Sequence, residues 1–202
     1  MLGSDGLVEN LSKRVQTVDS ATLLKQLQQI VNIRSYKSDE VPNKDLRDLL
    51  EAFRLAPSMA NHQPWEMLIL DSNQKESVVE ATLDPLFTKG SNHGQPWVAN
   101  VPVAFVVMID LRRSEARIGE EGVNLSMQDT FSAIQNFRVM AIIKGLATSV
   151  VREIDVKQLK KVLSIPNSFL PVAIVTVGYP NIEVELPPLL SVDEITHEGK
   201  VE

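Results

Sequence analysis

Three observations predict an α+β or α/β sandwich. The chain has 202 residues, 44% apolar and 23% charged, enough to bury roughly 70% of its unfolded surface in one core, so residues 1–202 are expected to form a single domain. Two short runs rich in β-formers, VPVAFVVMI (101–109) and PVAIVTVG (171–178), are apolar at nearly every position, the mark of strands covered on both faces. A long helical pattern from Asn124 to Ala147 separates them, and strands alternating with helices make a layered sheet.

The elements follow in order. After a polar N-terminal stretch, Ser20 is placed to cap a helix whose Leu23, Leu24, Leu27, Ile30 and Val31 form one apolar stripe. Asn43, after Pro42, caps a second helix burying Leu46, Leu49, Leu50 and Phe53 and ending before Pro57. Residues 66–71 read as a strand, and 101–109, apolar on both faces, as a central one. The second half of the 124–147 helix, with Phe137, Val139, Met140, Ala141, Ile142, Ile143 and Leu146, is apolar nearly all round; it runs through the core or is covered by a second subunit. Asp155 caps a short helix carrying Val156, Leu159, Val162 and Leu163, and from Asn181 a tail with Pro187 and Pro188 is extended.

Composition excludes several functions. Cysteine is absent, which removes disulfides, thiolate metal sites and a catalytic thiol. Met1 to Ser20 contains no apolar stretch fit for a signal peptide and no window suits a membrane helix, so a cytoplasmic protein with no membrane partner is expected. The net charge is −6, and residues 181–202 hold six acids against Lys200. Basic spots such as Arg112–Arg113 and Lys160–Lys161 are short, unlike the stripe that nucleic acid requires. His62, His93 and His197 lack metal-ligand spacing and read as loop or surface imidazoles, so no metal is expected. No GxGxxG, GxxxxGK[ST] or G-x-S-x-G is present, and GSNHG, between Gly90 and Gly94, reads as a flexible loop.

Two segments carry chemistry. Arg34, Ser35 and Lys37 place two cations and a hydroxyl within four residues, a set suited to a phosphate and an electron-rich ring edge, or else a solvated turn. Ser58 and Asn61 bracket a loop entered through Pro57; their polar groups suit the edge of a planar ligand, or a turn closing the preceding helix. Trp65 reads as core before cofactor stacking, and Phe131, Phe137 and Met140 as core or interface.

The segment RLAPSMANHQPW (54–65) resembles the A-P-S-x-x-N-x-Q-P-W signature of the nitroreductase family of FMN-dependent enzymes. Arg34-Ser35-Tyr36-Lys37 is similar to the family's R-R-S-x-R/K segment, and Asp129 to Asn136 followed by Lys144-Gly145-Leu146 resembles its D-x-x-A-A-x-Q-N…G-L helix. Leu163-Ser164-Ile165-Pro166 and Gly178-Tyr179-Pro180 resemble its L-G-I-P and G-Y-P. The order holds over about residues 23–180.

The resemblance implies a three-layer α/β/α sandwich in an intertwined homodimer, with residues 181–202 wrapping the partner. It implies FMN between subunits, contacted by Arg34, Ser35 and Lys37 of one chain and by Pro57, Ser58, Met59, Asn61 and Gln63 of the other. The implied reaction is ping-pong: a hydride passes from NAD(P)H to flavin N5 and on to a small acceptor such as a nitroaromatic or quinone, and no side chain is named catalytic. A dehalogenase or dehydrogenase on the same scaffold, or a flavin- or small-ligand-binding dimer with little turnover, is the alternative. The chain departs from the family at Ile33, where the first arginine of the motif would stand, and at Leu186 to Leu190, which lacks basic residues. Arg152 is the compensating candidate, and a base restored at Ile33 or Leu189 is expected to tighten FMN.

Overall fold

The computed structural model describes residues 19–83, 94–119, 121–183 and 185–200. The polar N-terminal stretch and residues 90–93 of the GSNHG loop lie outside them. Four strands, β1 (Trp65–Ile69), β2 (Val103–Asp110), β3 (Ala147–Val151) and β4 (Phe169–Gly178), form one sheet in the order β1-β2-β4-β3. Every pairing is antiparallel, so the fold is α+β. The registers put Leu68 opposite Val106, Val106 opposite Ile174, and Ser149 opposite Thr176.

Alternation along β2 explains why it is central. Phe105, Val107 and Ile109 point to one face, where Leu49 and Phe53 of α2 (Asn43–Arg54) and Ala133, Ile134, Phe137 and Ala141 of α5 (Gly122–Ile143) complete the core. Ala104, Val106 and Met108 point to the other, against Val78 of α3 (Ser72–Val78), Val98, and Leu159 of α6 (Val156–Val162). The result is three layers, helix on sheet on helix. Edge-to-face rings lock the first interface, with Phe53 and Trp65 at 5.8 Å and Phe105 and Phe137 at 5.5 Å between centroids. Trp65 is a core residue, as its sequence context predicts.

Several boundaries differ from the sequence reading. α1 (Ser20–Gln28) is capped by Asp19, whose carboxylate accepts from the Thr22 amide at 3.1 Å, so Ser20 is already helical and Ile30 and Val31 lie beyond the end. No residue of α1 is buried. α2 starts at Asn43 without a side-chain cap. α4 (Leu111–Ile118) is an element the sequence reading missed; its cap Asp110 accepts from the amides of Arg112 and Arg113, and its burial is outweighed by Arg112 and these amides, which hold its carboxyl below the ordinary range. β3 begins at Ala147, where the helical pattern ends, and no strand is read there from the sequence. The tail is exposed and irregular at 181–183 and 185–190, then makes a short helix, α7 (Val192–Ile195), capped reciprocally by Ser191 and Glu194.

α5 ends where Gly145 takes φ +71°, with the Leu146 amide donating to Ala141 O at 2.9 Å and the Gly145 amide to Ile142 O at 3.0 Å. That turn throws the chain directly into β3. Phe137 and Ala141 are the inward face of α5, while Val139 and Ile143, with Met140 at the margin of the core, line a groove with Asn136 and with Ala52 and Leu55 at the α2 end. Leu55 is 64% and Ile143 48% exposed, so the all-round apolar helix is half core and half uncovered surface. Among the described residues no helix is long and apolar enough to cross a membrane.

Candidate functional site

The 57–63 loop is built by internal hydrogen bonds. Pro57 ends the α2 segment, and the chain then turns through a 3₁₀ turn at Met59–Asn61. Ala60, Asn61 and Gln63 all take left-handed φ, 49°, 52° and 45°, which costs a non-glycine residue roughly 1–2 kcal/mol. Strain of this kind persists only where the surroundings over-determine it. Here the Gln63 amide donates to Ser58 Oγ at 3.0 Å, the Asn61 amide to Ser58 O at 2.9 Å, and the Met59 amide to Asp129 Oδ2 at 2.8 Å. Gln63 Nε2 donates to Asn61 Oδ1 at 3.1 Å, and Arg113 donates to the Gln63 carbonyl. Ser58 therefore closes a turn, while Pro57, Met59 and Asn61 stay exposed.

His62 corrects the sequence reading. It is not a surface imidazole but is buried, its Nδ1 at 2.7 Å from the Met59 carbonyl, which can only accept, and its Nε2 at 2.8 Å from Ser126 Oγ. Ser126 donates to Ser114 Oγ at 2.7 Å, and Ser114 to Asp110 O at 3.0 Å, while Asp129 lies 3.7 Å from Nδ1. A chain of polar groups from three elements thus pins the loop to α4 and α5. The sequence signal for it was faint: Ser114, Ser126 and Thr130 sit at positions that helical arithmetic turns inward. His197 is exposed as expected, and His93 lies outside the described residues.

The Arg34–Lys37 segment is built differently. Asn32 bridges Thr148 in parallel, and the Ile33 amide donates to Thr148 O at 3.0 Å, so the segment runs along the outer edge of β3. The Lys37 amide donates to Tyr179 O at 2.9 Å and the Asn181 amide to Ser35 O at 3.1 Å. Tyr36 turns inward, its hydroxyl 2.7 Å from Thr176 Oγ1, and burial raises its phenol above the ordinary range. Arg34, Lys37 and Arg152 are exposed, and none of them pairs with a carboxylate among the described residues. Ile33 is only 4% exposed, so an arginine there would have to leave its pocket and Ile33→Arg does not add a cation at no cost to the fold, whereas Leu189 at 78% exposure is open to substitution.

Arg138, which the sequence reading passed over as part of an apolar helix, reaches this edge from α5. Its Nε donates to Thr148 Oγ1 and its terminal nitrogen to Asn32 Oδ1, each at 3.2 Å. It shares with Arg152, Asn32 and Gln135 a pocket of about 140 Å³ walled by Phe131 and Val150. At about 100° per residue, Arg138 lies half a turn round α5 from Asp129, which holds the 57–63 loop. Within one chain α5 therefore stands between the loop and the cationic edge. The described residues hold no cluster of acids and histidines able to bind a metal ion.

Known proteins share this arrangement of elements. A relative named NADH dehydrogenase from Thermus thermophilus is 26% identical over 178 residues, covering 74% of this chain and 82% of its own length. A relative named FMN reductase [NAD(P)H] from Bacillus subtilis is 23% identical over 191 residues, covering 87% of this chain and 73% of its own. Among solved structures, the NADPH:FMN oxidoreductase from Vibrio harveyi, complexed with NAD+, superposes with a TM-score of 0.75 at 17% identity over 89% of this chain and 78% of its own. The model of the nitroreductase family matches residues 32–179, from the bridge at Asn32 to the Tyr179 that braces Lys37. That match covers most of the chain, which belongs to the nitroreductase family.

Proposed function

We propose that the protein is a single-domain FMN-dependent NAD(P)H oxidoreductase that works as a homodimer and reduces a small acceptor such as a nitroaromatic or quinone. The observation that carries this reading is the cationic edge: Arg34 and Lys37 are exposed on the segment that runs along β3, Arg152 and Arg138 line the polar pocket beside it, and none of the four side chains forms an ion pair among the described residues. Such a set fits a ligand with a phosphate and an electron-rich ring, and FMN stands in the names of the Bacillus subtilis relative and of the Vibrio harveyi structure. Arg34 and Ser35 would hold the ribityl-phosphate and Lys37 the N1/C2 carbonyl edge of the ring. Pro57, Ser58, Met59, Asn61 and Gln63 of a second copy would close over it, since α5 separates the two halves of the site in one chain.

The chemistry FMN supplies when bound is hydride transfer from NAD(P)H to the acceptor, in two half-reactions at one position. This chain's residues bind, orient and exclude water. Lys37 would place a positive charge at the ring edge that gains negative charge on reduction, and the loop's strained shape is held by hydrogen bonds of the chain itself. A dimer is supported by the uncovered groove between α2 and α5, where Leu55, Val139, Met140 and Ile143 lie together.

The visible spectrum of the purified protein tests the proposal. Oxidised-flavin bands that bleach with NAD(P)H under nitrogen are the expected result. Flavin that is retained but not bleached points to the binding dimer with little turnover. Failure to take up added FMN rejects the reading.

A further inference from the structure

We propose that Arg138 is a second cation for the phosphate of FMN beside Arg34, delivered from α5 in place of the base that Ile33 lacks; this rests on the FMN reading above. Arg138 is half-buried, and no carboxylate pairs with it among the described residues. A guanidinium has five N–H groups in a fixed fork. Two of Arg138's are held by neutral acceptors, Thr148 Oγ1 and Asn32 Oδ1, and Asn32 Oδ1 is itself fixed by the Val150 amide at 3.3 Å. The fork is thus oriented, and three N–H groups remain for a ligand. Burial lowers its pKa from the ordinary arginine value; the Tyr36 phenol opposes that shift, and the charge of Arg152 adds to it. Two guanidinium groups that line one polar pocket repel each other, and a phosphate dianion between them would relieve that repulsion.

Position decides which part of the ligand is met. Asn32, which holds the guanidinium, is the residue before Ile33 and bridges Thr148, to which Ile33 also bonds. The charge therefore arrives at the backbone step where the family's first arginine would begin. An arginine at 33 itself would have to quit a buried position, so the helix supplies the cation from behind.

The test compares FMN and riboflavin, which differ only in the phosphate, by dissociation constant on the wild-type protein, Arg138→Gln and Arg138→Lys, with circular dichroism to check the fold. The expected result is a loss of about 10- to 100-fold in FMN affinity for Arg138→Gln, a smaller loss for Arg138→Lys, and riboflavin affinity within about threefold of wild type for both. If Arg138→Gln does not fold, Arg138→Lys decides by the same selective loss. Equal weakening of both flavins, or no change in FMN binding, overturns the assignment while leaving the FMN reading in place. A wild-type protein that binds neither flavin overturns the FMN reading, and this one with it.

Discussion

The 57–63 loop and the cationic edge at 32–37 both carry family motifs, yet they are built on opposite principles. In the loop, the hydrogen-bonding groups are satisfied within the chain: Ser58 closes on Gln63, Asp129 takes the Met59 amide, and buried His62 ties the Met59 carbonyl to Ser126. At the edge, the side chains of Arg34, Lys37, Arg138 and Arg152 form no ion pair among the described residues. The loop supplies shape and the edge supplies charge. Mutations in the first should therefore act on stability, and in the second on ligand affinity.

His62→Ala is the severest challenge to that division. It leaves the Met59 carbonyl and Ser126 without their ring partner and opens a cavity, so unfolding free energy should fall by about 2–4 kcal/mol. Urea titration of the variant beside Arg34→Ala and Arg152→Ala checks it; the two arginine variants should stay within about 0.5 kcal/mol of wild type. A His62→Ala protein as stable as wild type would mean the loop does not depend on its buried anchor.

Arg34→Ala should reverse the pattern. FMN affinity should weaken by about 1.5–3 kcal/mol, the worth of a charged hydrogen bond, with the denaturation midpoint unmoved. Fluorescence titration of the flavin measures it, and an unchanged dissociation constant would remove Arg34 from the site.

Acid should separate the two regions without any mutation. Asp110, whose backbone carbonyl accepts from Ser114 and so ends the polar chain from His62, has its carboxyl held below the ordinary value in the folded state. A depressed folded pKa contributes stability that is complete above the unfolded value of 3.8 and is lost as the pH falls through the folded one. The fold should therefore keep this contribution through the mildly acid range. FMN affinity should decline earlier, as the phosphate takes up its second proton near pH 6. Binding and unfolding curves that shift together between pH 7 and 5 would contradict the assignment of phosphate to the cationic edge.

The smallest effect is a gain. Ala60 holds φ +49° in the loop, where glycine adopts the same backbone without a Cβ clash. Ala60→Gly should be neutral to stabilising by about 0.5–1 kcal/mol, the relieved strain outweighing the added entropy of the unfolded chain. A clear loss on thermal unfolding would show that the Ala60 methyl makes contacts worth more than the strain.

What the sequence determined by itself was whatever is encoded within a short window. The apolar run at 101–109 reads as a central strand because both faces of β2 are covered, and the α5 pattern reads as a helix with too much apolar surface for one side. The Arg34 and Pro57 segments stand out because motif spacing is also local. Only the tertiary structure decided the rest. β3 is a five-residue strand whose hydrogen bonds come from β4, more than twenty residues on, so nothing in Ala-Thr-Ser-Val-Val distinguishes it from a loop. His62 is buried because Ser126, 64 residues later, meets its ring, and a lone histidine in a loop carries no sign of that partner. Arg138 looks like one polar residue in an apolar helix until Asn32, 106 residues earlier, is brought beside it. Polar groups acquire their partners by long-range folding, and it is those partners that distinguish a satisfied side chain from one that awaits a ligand.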